Sequence, residues 1–148
     1  MNPTEPPTNV LLRQDDYVTM QAVPSERMIT LTWTGYAPSV AYRSILNEAL
    51  NNVKALDLLR WLADLRQMDA IMQQDEQWTT TDWFPRLART GLKRMAILTS
   101  ADYFNRMSVD RIMTAATAEM PLALGYFEDI DKAKAWLLST EHSMEPAK

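Results

Sequence analysis

The chain has 148 residues, a formal net charge of −4, 47% hydrophobic residues and 23% charged ones. That composition fits one globular domain able to bury roughly 70% of the surface its unfolded form exposes, with no general attraction to nucleic acid or an anionic membrane. The absence of cysteine excludes disulfides, thiolate zinc sites, iron–sulfur clusters and cysteine nucleophiles, and it fits a cytoplasmic location.

Only three glycines occur, which argues against Gly-rich phosphate loops and turn-dense all-β folds. No apolar run approaches the ~20 residues that span a bilayer. The opening MNPTEPPTNVLLRQDD is polar and proline-rich and lacks the basic and apolar regions of a signal peptide. Residues 1–14 are therefore expected to form a disordered tail, 15–140 the folded domain and 141–148 a polar C-terminal tail.

Val18, Met20 and Ala22 alternate with polar neighbours, as a strand with one buried face requires. Pro24 to Arg27 makes a turn and MITLTW alternates again, so the pair reads as an antiparallel hairpin. From Ser39 the spacing becomes helical, with Tyr42, Ile45, Leu46, Ala49, Leu50 and Val53 on one stripe and an end near Lys54. LDLLRWLADLRQM follows. Its apolar residues on both faces predict a central strand with parallel neighbours, which carries Asp64 to the edge of the sheet.

After Ile71–Trp78, Thr81 or Asp82 is expected to cap a new helical piece with Pro85 in its first turn, ending at Gly91. MAIL is the next buried strand. Thr99 or Ser100 then caps a helix whose apolar face is read as Tyr103, Phe104, Met107, Ile112 and Met113. Beyond Pro121, LALGYF is the last strand, and Asp129 caps a final helix bearing Ile130, Ala133, Trp136 and Leu137. The order is β-β-α-β-α-β-α-β-α. This predicts a mixed, mostly parallel five-stranded α/β sheet.

Chemistry is harder to find. His142, the single histidine, stands in a polar tail with no fixed partner in view. With no second histidine and no cysteine, no transition-metal site is expected. Asp64, Asp69, Asp75 and Glu76 lack calcium-loop spacing and read as solvated acids. No GxGxxG or GxxxxGK[ST] occurs, and Ser100 lacks the glycines of a nucleophile elbow. No catalytic residue and no cofactor are therefore assigned.

Two features stay open. Arg86, Arg89, Lys93 and Arg94 form a basic cluster that reads either as an anion or acidic-partner site or as cations suiting a helix C-terminus. Trp78, Trp83 and Phe84, with ten methionines in the chain, either line an apolar pocket or belong to the core.

As a set, the hairpin ending in LTWTG, the apolar strand ending in Asp64, DEQWTTTDWFPRLARTGLKRMAIL and FEDIDKAKAWL resemble the STAS-like, SpoIIAA-like proteins. These are the relatives of bacterial anti-sigma-factor antagonists that include small stand-alone members grouped with the CRAL-TRIO lipid-binding fold. The resemblance covers Tyr17 to Leu138. It implies a β/α superhelix with helices mainly on one face, and a role in binding and regulation.

In the signalling members a serine at the start of the helix after the central strand is phosphorylated, which switches partner binding by adding charge. Here no serine occurs between Ser44 and Ser100, so that switch is expected to be absent. The expected function is a non-enzymatic module that binds an unidentified protein through Asp64, Arg66, Asp69 and Asp75. The alternative is a carrier or sensor of a lipid-like or anionic ligand held by Trp78, Trp83, Arg86 and Lys93. Exposed hairpin edges also make a homodimer an expectation.

Overall fold

The computed structural model describes residues 8–117 and 122–139. Six strands form one sheet in the sequential order β1 (Val10–Gln14), β2 (Val18–Val23), β3 (Met28–Gly35), β4 (Arg60–Met68), β5 (Arg94–Leu98) and β6 (Ala123–Phe127). The first two ladders are antiparallel and the last three parallel. Its helices are α1 (Ser39–Leu56), α2 (Gln73–Trp78), α3 (Phe84–Ala88), α4 (Tyr103–Thr117) and α5 (Ile130–Leu138), with the π-helical turn Thr79–Trp83 joining α2 to α3.

Crossovers between parallel strands keep one hand. When the strands also advance in one direction across the sheet, every crossover helix falls on the same face. Trp61, Ala63 and Leu65 of β4 accordingly share a core with Ile45 and Leu50 of α1, Phe84 and Leu87 of α3, and Ile112 of α4. Among the described residues the opposite face is covered by α5, where Met28, Leu62, Ala96, Leu98 and Phe127 meet Ala133, Trp136 and Leu137. Alternate residues of β4 therefore serve two separate cores, and each fully buried leucine contributes about 1.5–3 kcal/mol. The double-sided apolar run is explained.

The sheet begins earlier than the sequence suggested: Val10–Gln14 is a sixth strand, not part of a disordered tail. Asp15 Oδ1 accepts from the N–H groups of Tyr17 and Val18, closing the β1–β2 turn. A register shift between Leu11 and Arg13 lets Leu12 pack on the core, while Arg13 reaches Glu48 of α1. The fold class otherwise stands, with α1 burying the six residues of its predicted stripe.

Two local readings are corrected. The TTTDW segment does not break and recap the helix. Pro85 has no N–H to give the carbonyl four residues back, and Phe84 N–H instead reaches Thr79 O, five residues back. Thr79, Thr80 and Thr81 fold their hydroxyls onto the carbonyls of Asp75, Glu76 and Gln77, so the widened turn leaves these groups satisfied. At α4 the cap is Asp102, whose Oδ1 accepts from Asn105 N–H at 2.8 Å. Ser100 is buried below it, with its Oγ donating to Met68 O. Asp129 caps α5 as expected, whereas His142 lies outside the described residues.

Candidate functional site

Because the strand order never reverses, the sheet has no topological switch point, where open α/β folds form their usual crevice. What remains is the carboxyl edge of the parallel strands, and β4 reaches it with an irregularity. Asp64 pairs with Thr32 and Gln67 with Thr34, so Leu65 and Arg66 together stand opposite Trp33. This bulge returns Met68 to the same core as Leu65 and leaves Arg66 and Gln67 exposed.

Asp64 keeps only 6% of its surface exposed and faces the α5 side of the sheet. The Arg66 guanidinium holds it with two bonds, Nε–H to Oδ1 at 3.0 Å and Nη2–H to Oδ2 at 2.8 Å, and the Arg66 backbone N–H adds a third to Oδ1. The paired carboxylate holds the Arg66 guanidinium above its ordinary pKa. Asp64 thus positions Arg66, and Arg66 is the member of the pair that meets solvent. Asp69, exposed at the strand exit, is stitched in place by its backbone, with its N–H on Gly35 O and its C=O accepting from Asn105 Nδ2.

Asp75 is not at this surface. It is 1% exposed, accepting from Ser39 Oγ at 2.7 Å and from Arg43 Nε at 2.9 Å. It clamps α2 to the start of α1, so of the four acids and bases predicted to face a partner, three stand near the β4 exit and the fourth is internal. Thr79 O–H donates to Asp75 O. That hydrogen being spent, the buried Tyr42 O–H donates to Thr79 Oγ1 at 2.7 Å. Burial pushes the Tyr42 phenol far up, more than its hydrogen bond to Thr79 pulls it down.

The predicted ligand residues are not brought together as one pocket. Trp83 is in the core, edge-on to Trp61 and donating its Nε1–H to Leu46 O. The void beneath the π turn measures about 60 Å3, well short of the ~300 Å3 or more of ordinary ligand sites. Trp78 is half-buried with the Arg43 and Arg86 guanidiniums 5.1 and 5.9 Å from its ring centre. Arg86 also donates to Asn47 and Asp82. Lys93 stands at the amino end of β5, the end of the strand opposite Leu98 and its neighbour Asp64.

The basic cluster likewise dissolves. Arg94 is buried, donating to Trp136 O and Ser139 O, and Arg60 on the neighbouring strand donates to Leu137 O. These two arginines satisfy the carbonyls that the last turn of α5 leaves unpaired.

The residues that sequence reasoning misjudged are on α4. Its buried stripe is Asn105, Ser108, Val109, Ile112, Met113 and Ala116. The apolar pattern puts Tyr103, Phe104 and Met107 on that face, yet they are 58, 68 and 39% exposed. They border a surface groove of about 520 Å3 that also meets Ala70, Ile71 and the Glu76–Arg111 pair. Arg111 grips Glu76 bidentately at 2.7 and 2.8 Å, ties α4 to α2 across the groove, and lowers the Glu76 pKa. The helix period alone held the signal: Val109, Ile112, Met113 and Ala116 already make a complete core stripe.

A SpoIIAA-like family model matches residues 28–138, from the second hairpin strand through α5. The chain belongs to the SpoIIAA-like family. It is also similar to the crystal structure of an uncharacterized DUF3478-family protein with a SpoIIAA-like fold from Shewanella loihica PV-4. That comparison has a TM-score of 0.55 at 15% identity and covers 88% of this chain and 92% of the other. At that identity the likeness speaks for the fold. No curated protein matches by sequence. Among the described residues of this SpoIIAA-like chain no helix is long and apolar enough to cross a membrane, and no three His, Cys, Asp or Glu residues gather to hold a metal ion.

Proposed function

We propose that this SpoIIAA-like protein is a non-enzymatic regulatory module that docks a protein partner on the carboxyl edge of its parallel strands. The observation that carries the reading is the exposed apolar ridge of Tyr103, Phe104 and Met107 beside the groove between α2 and α4. An aromatic ridge held outward by a pinned helix start has the make-up of an interface hot spot. Ser100, Asp102 and Asn105 supply that pinning through Met68 O, the α4 cap and Asp69 O. Arg66 and Asp69 supply polar groups on the neighbouring β4 exit.

The docking works without a phosphoserine switch. Residues 65–73, from the end of β4 to the first residue of α2, contain no serine or threonine. The nearby hydroxyls are committed: Ser39 to Asp75, Ser100 to Met68 O and Thr79 to Asp75 O. The regulated quantity is then availability of the partner or of this surface, not its phosphorylation.

The test is cross-linking capture from the source organism with wild-type protein and a Tyr103→Ser/Phe104→Ser double variant. Wild type should retain a discrete partner that the variant loses, with both proteins unfolding at the same temperature. Retention of the same partner by a folded double variant would refute the assignment.

A further inference from the structure

The chain carries ten methionines and no cysteine, so its thioethers are the first sulfur that a two-electron oxidant meets. Packing divides them. Among the described residues, Met20, Met28, Met68, Met95 and Met113 are buried in the two cores, whereas Met72 and Met107 are each 39% exposed. Oxidation needs a peroxide oxygen to reach a sulfur lone pair, and of these residues only Met72 and Met107 offer that access.

The two stand in different places. Met72 immediately precedes α2, and its sulfur lies 3.8 Å from Ser39 Oγ at the start of α1, off the wall of the α2–α4 groove. Met107 lines that groove one helical turn beyond Tyr103, and it also borders a second cleft of about 350 Å3 on the other flank of α4. It is the crest between the two depressions. An unbranched thioether there fills an apolar contact and adapts to the surface laid on it. A sulfoxide in its place sets a polar oxygen on the apolar ridge. A partner surface shaped for the thioether would bury that oxygen unpaired, which weakens binding about tenfold or more.

We propose that Met107 is a reversible oxidation site through which peroxide closes the α2–α4 groove to its partner. The sulfur lone pair attacks one oxygen of hydrogen peroxide as the O–O bond breaks. An S=O bond forms, proton transfer lets the other oxygen leave as water, and sulfur loses the two electrons that the peroxide gains. A dithiol-dependent reductase returns the thioether, with water and a disulfide as the other products. Met72 is oxidised alongside without consequence for docking. This control rests on the docking assignment above and needs no phosphoserine.

The test treats the full chain with limiting hydrogen peroxide, maps each methionine by peptide mass spectrometry, and repeats the cross-linking capture. Met72 and Met107 should each gain one oxygen before the five buried methionines, with the unfolding temperature unchanged. Partner capture should be lost in step with the Met107 sulfoxide and return after treatment with the two stereospecific methionine sulfoxide reductases and dithiothreitol. Met72→Leu should lose capture on oxidation as the wild type does, and Met107→Leu should lose none, each measured against its own untreated sample. Oxidation of the core methionines ahead of Met107, undiminished capture by protein carrying the Met107 sulfoxide, or equal loss in oxidised Met107→Leu would each overturn the switch and leave the docking assignment standing. Failure of untreated wild type to capture any partner would overturn both.

Discussion

Asp75 separates a structural acid from a partner-facing one, and Asp75→Asn tests which it is. The substitution keeps the shape of the side chain and removes its charge. In the native protein both carboxylate oxygens accept, one from Ser39 Oγ at 2.7 Å and one from Arg43 Nε at 2.9 Å. An amide can offer an oxygen to only one of them and turns an N–H toward the other. Hydrogen bonds to a charged group contribute about 1.5–3 kcal/mol each, but Arg43 is 38% exposed and regains water when released. The net cost is then about 2–3 kcal/mol. For a domain of this size that lowers Tm by about 5–10 °C, measured by circular dichroism or calorimetry.

A double-mutant cycle with Arg43→Ala should return a coupling of about 1 kcal/mol or more, since the two side chains touch. The reasoning fails if Asp75→Asn unfolds with the wild type and the cycle shows no coupling. Loss of partner capture at unchanged stability would further restore Asp75 to the interface.

Tyr42→Phe removes a buried donor and leaves Thr79 Oγ1 without one of its bonds, so urea unfolding should show a loss of about 1–2 kcal/mol with unchanged m-value. Glu76 has its pKa lowered by Arg111, so its contribution is fully present above its unfolded pKa, near 4.5, and is lost as pH falls through the lower folded value. Glu76→Gln should therefore be less stable than wild type at pH 7, and the gap should close on acidification below about pH 4.3 in denaturant titrations. A constant gap across that range would show the ion pair to be idle. Leu62→Ala opens a cavity in the smaller core under α5 and should cost about 2–5 kcal/mol, detected as a lower Tm.

The fold was legible where a period or a double-sided apolar run spoke for itself. The α1 stripe, the centrality of β4 and the Asp129 cap all follow from local spacing, which tertiary packing then left in place. β1 was hidden because VLLRQ follows a proline-rich run and is too short to declare itself. Its pairing depends on the Asp15 turn and on Leu12 finding the core. The π turn was hidden for a related reason, since three threonines and a proline read equally as a break or as a widened helix.

The candidate sites were less legible, because spacing gives the face of a helix but not what covers it. Asp64, Asp69 and Asp75 look alike in sequence, yet one is locked to Arg66, one is exposed and one is a buried clamp between helices. Arg94 and Arg86 sat in one basic cluster, and packing sent the first to the end of α5 and the second to Trp78.

The sequence by itself determined the architecture, since a one-face or two-face apolar pattern is a local property of the chain. Its lack of cysteine, its few glycines and its serine-free β4–α2 junction also narrowed the chemistry, and those are facts of composition. Only the tertiary structure decided which polar groups are satisfied. A hydrogen bond to Asp75 comes from residues more than thirty positions away, and the exposure of Tyr103, Phe104 and Met107 depends on Val109, Ile112 and Met113 having filled the core first.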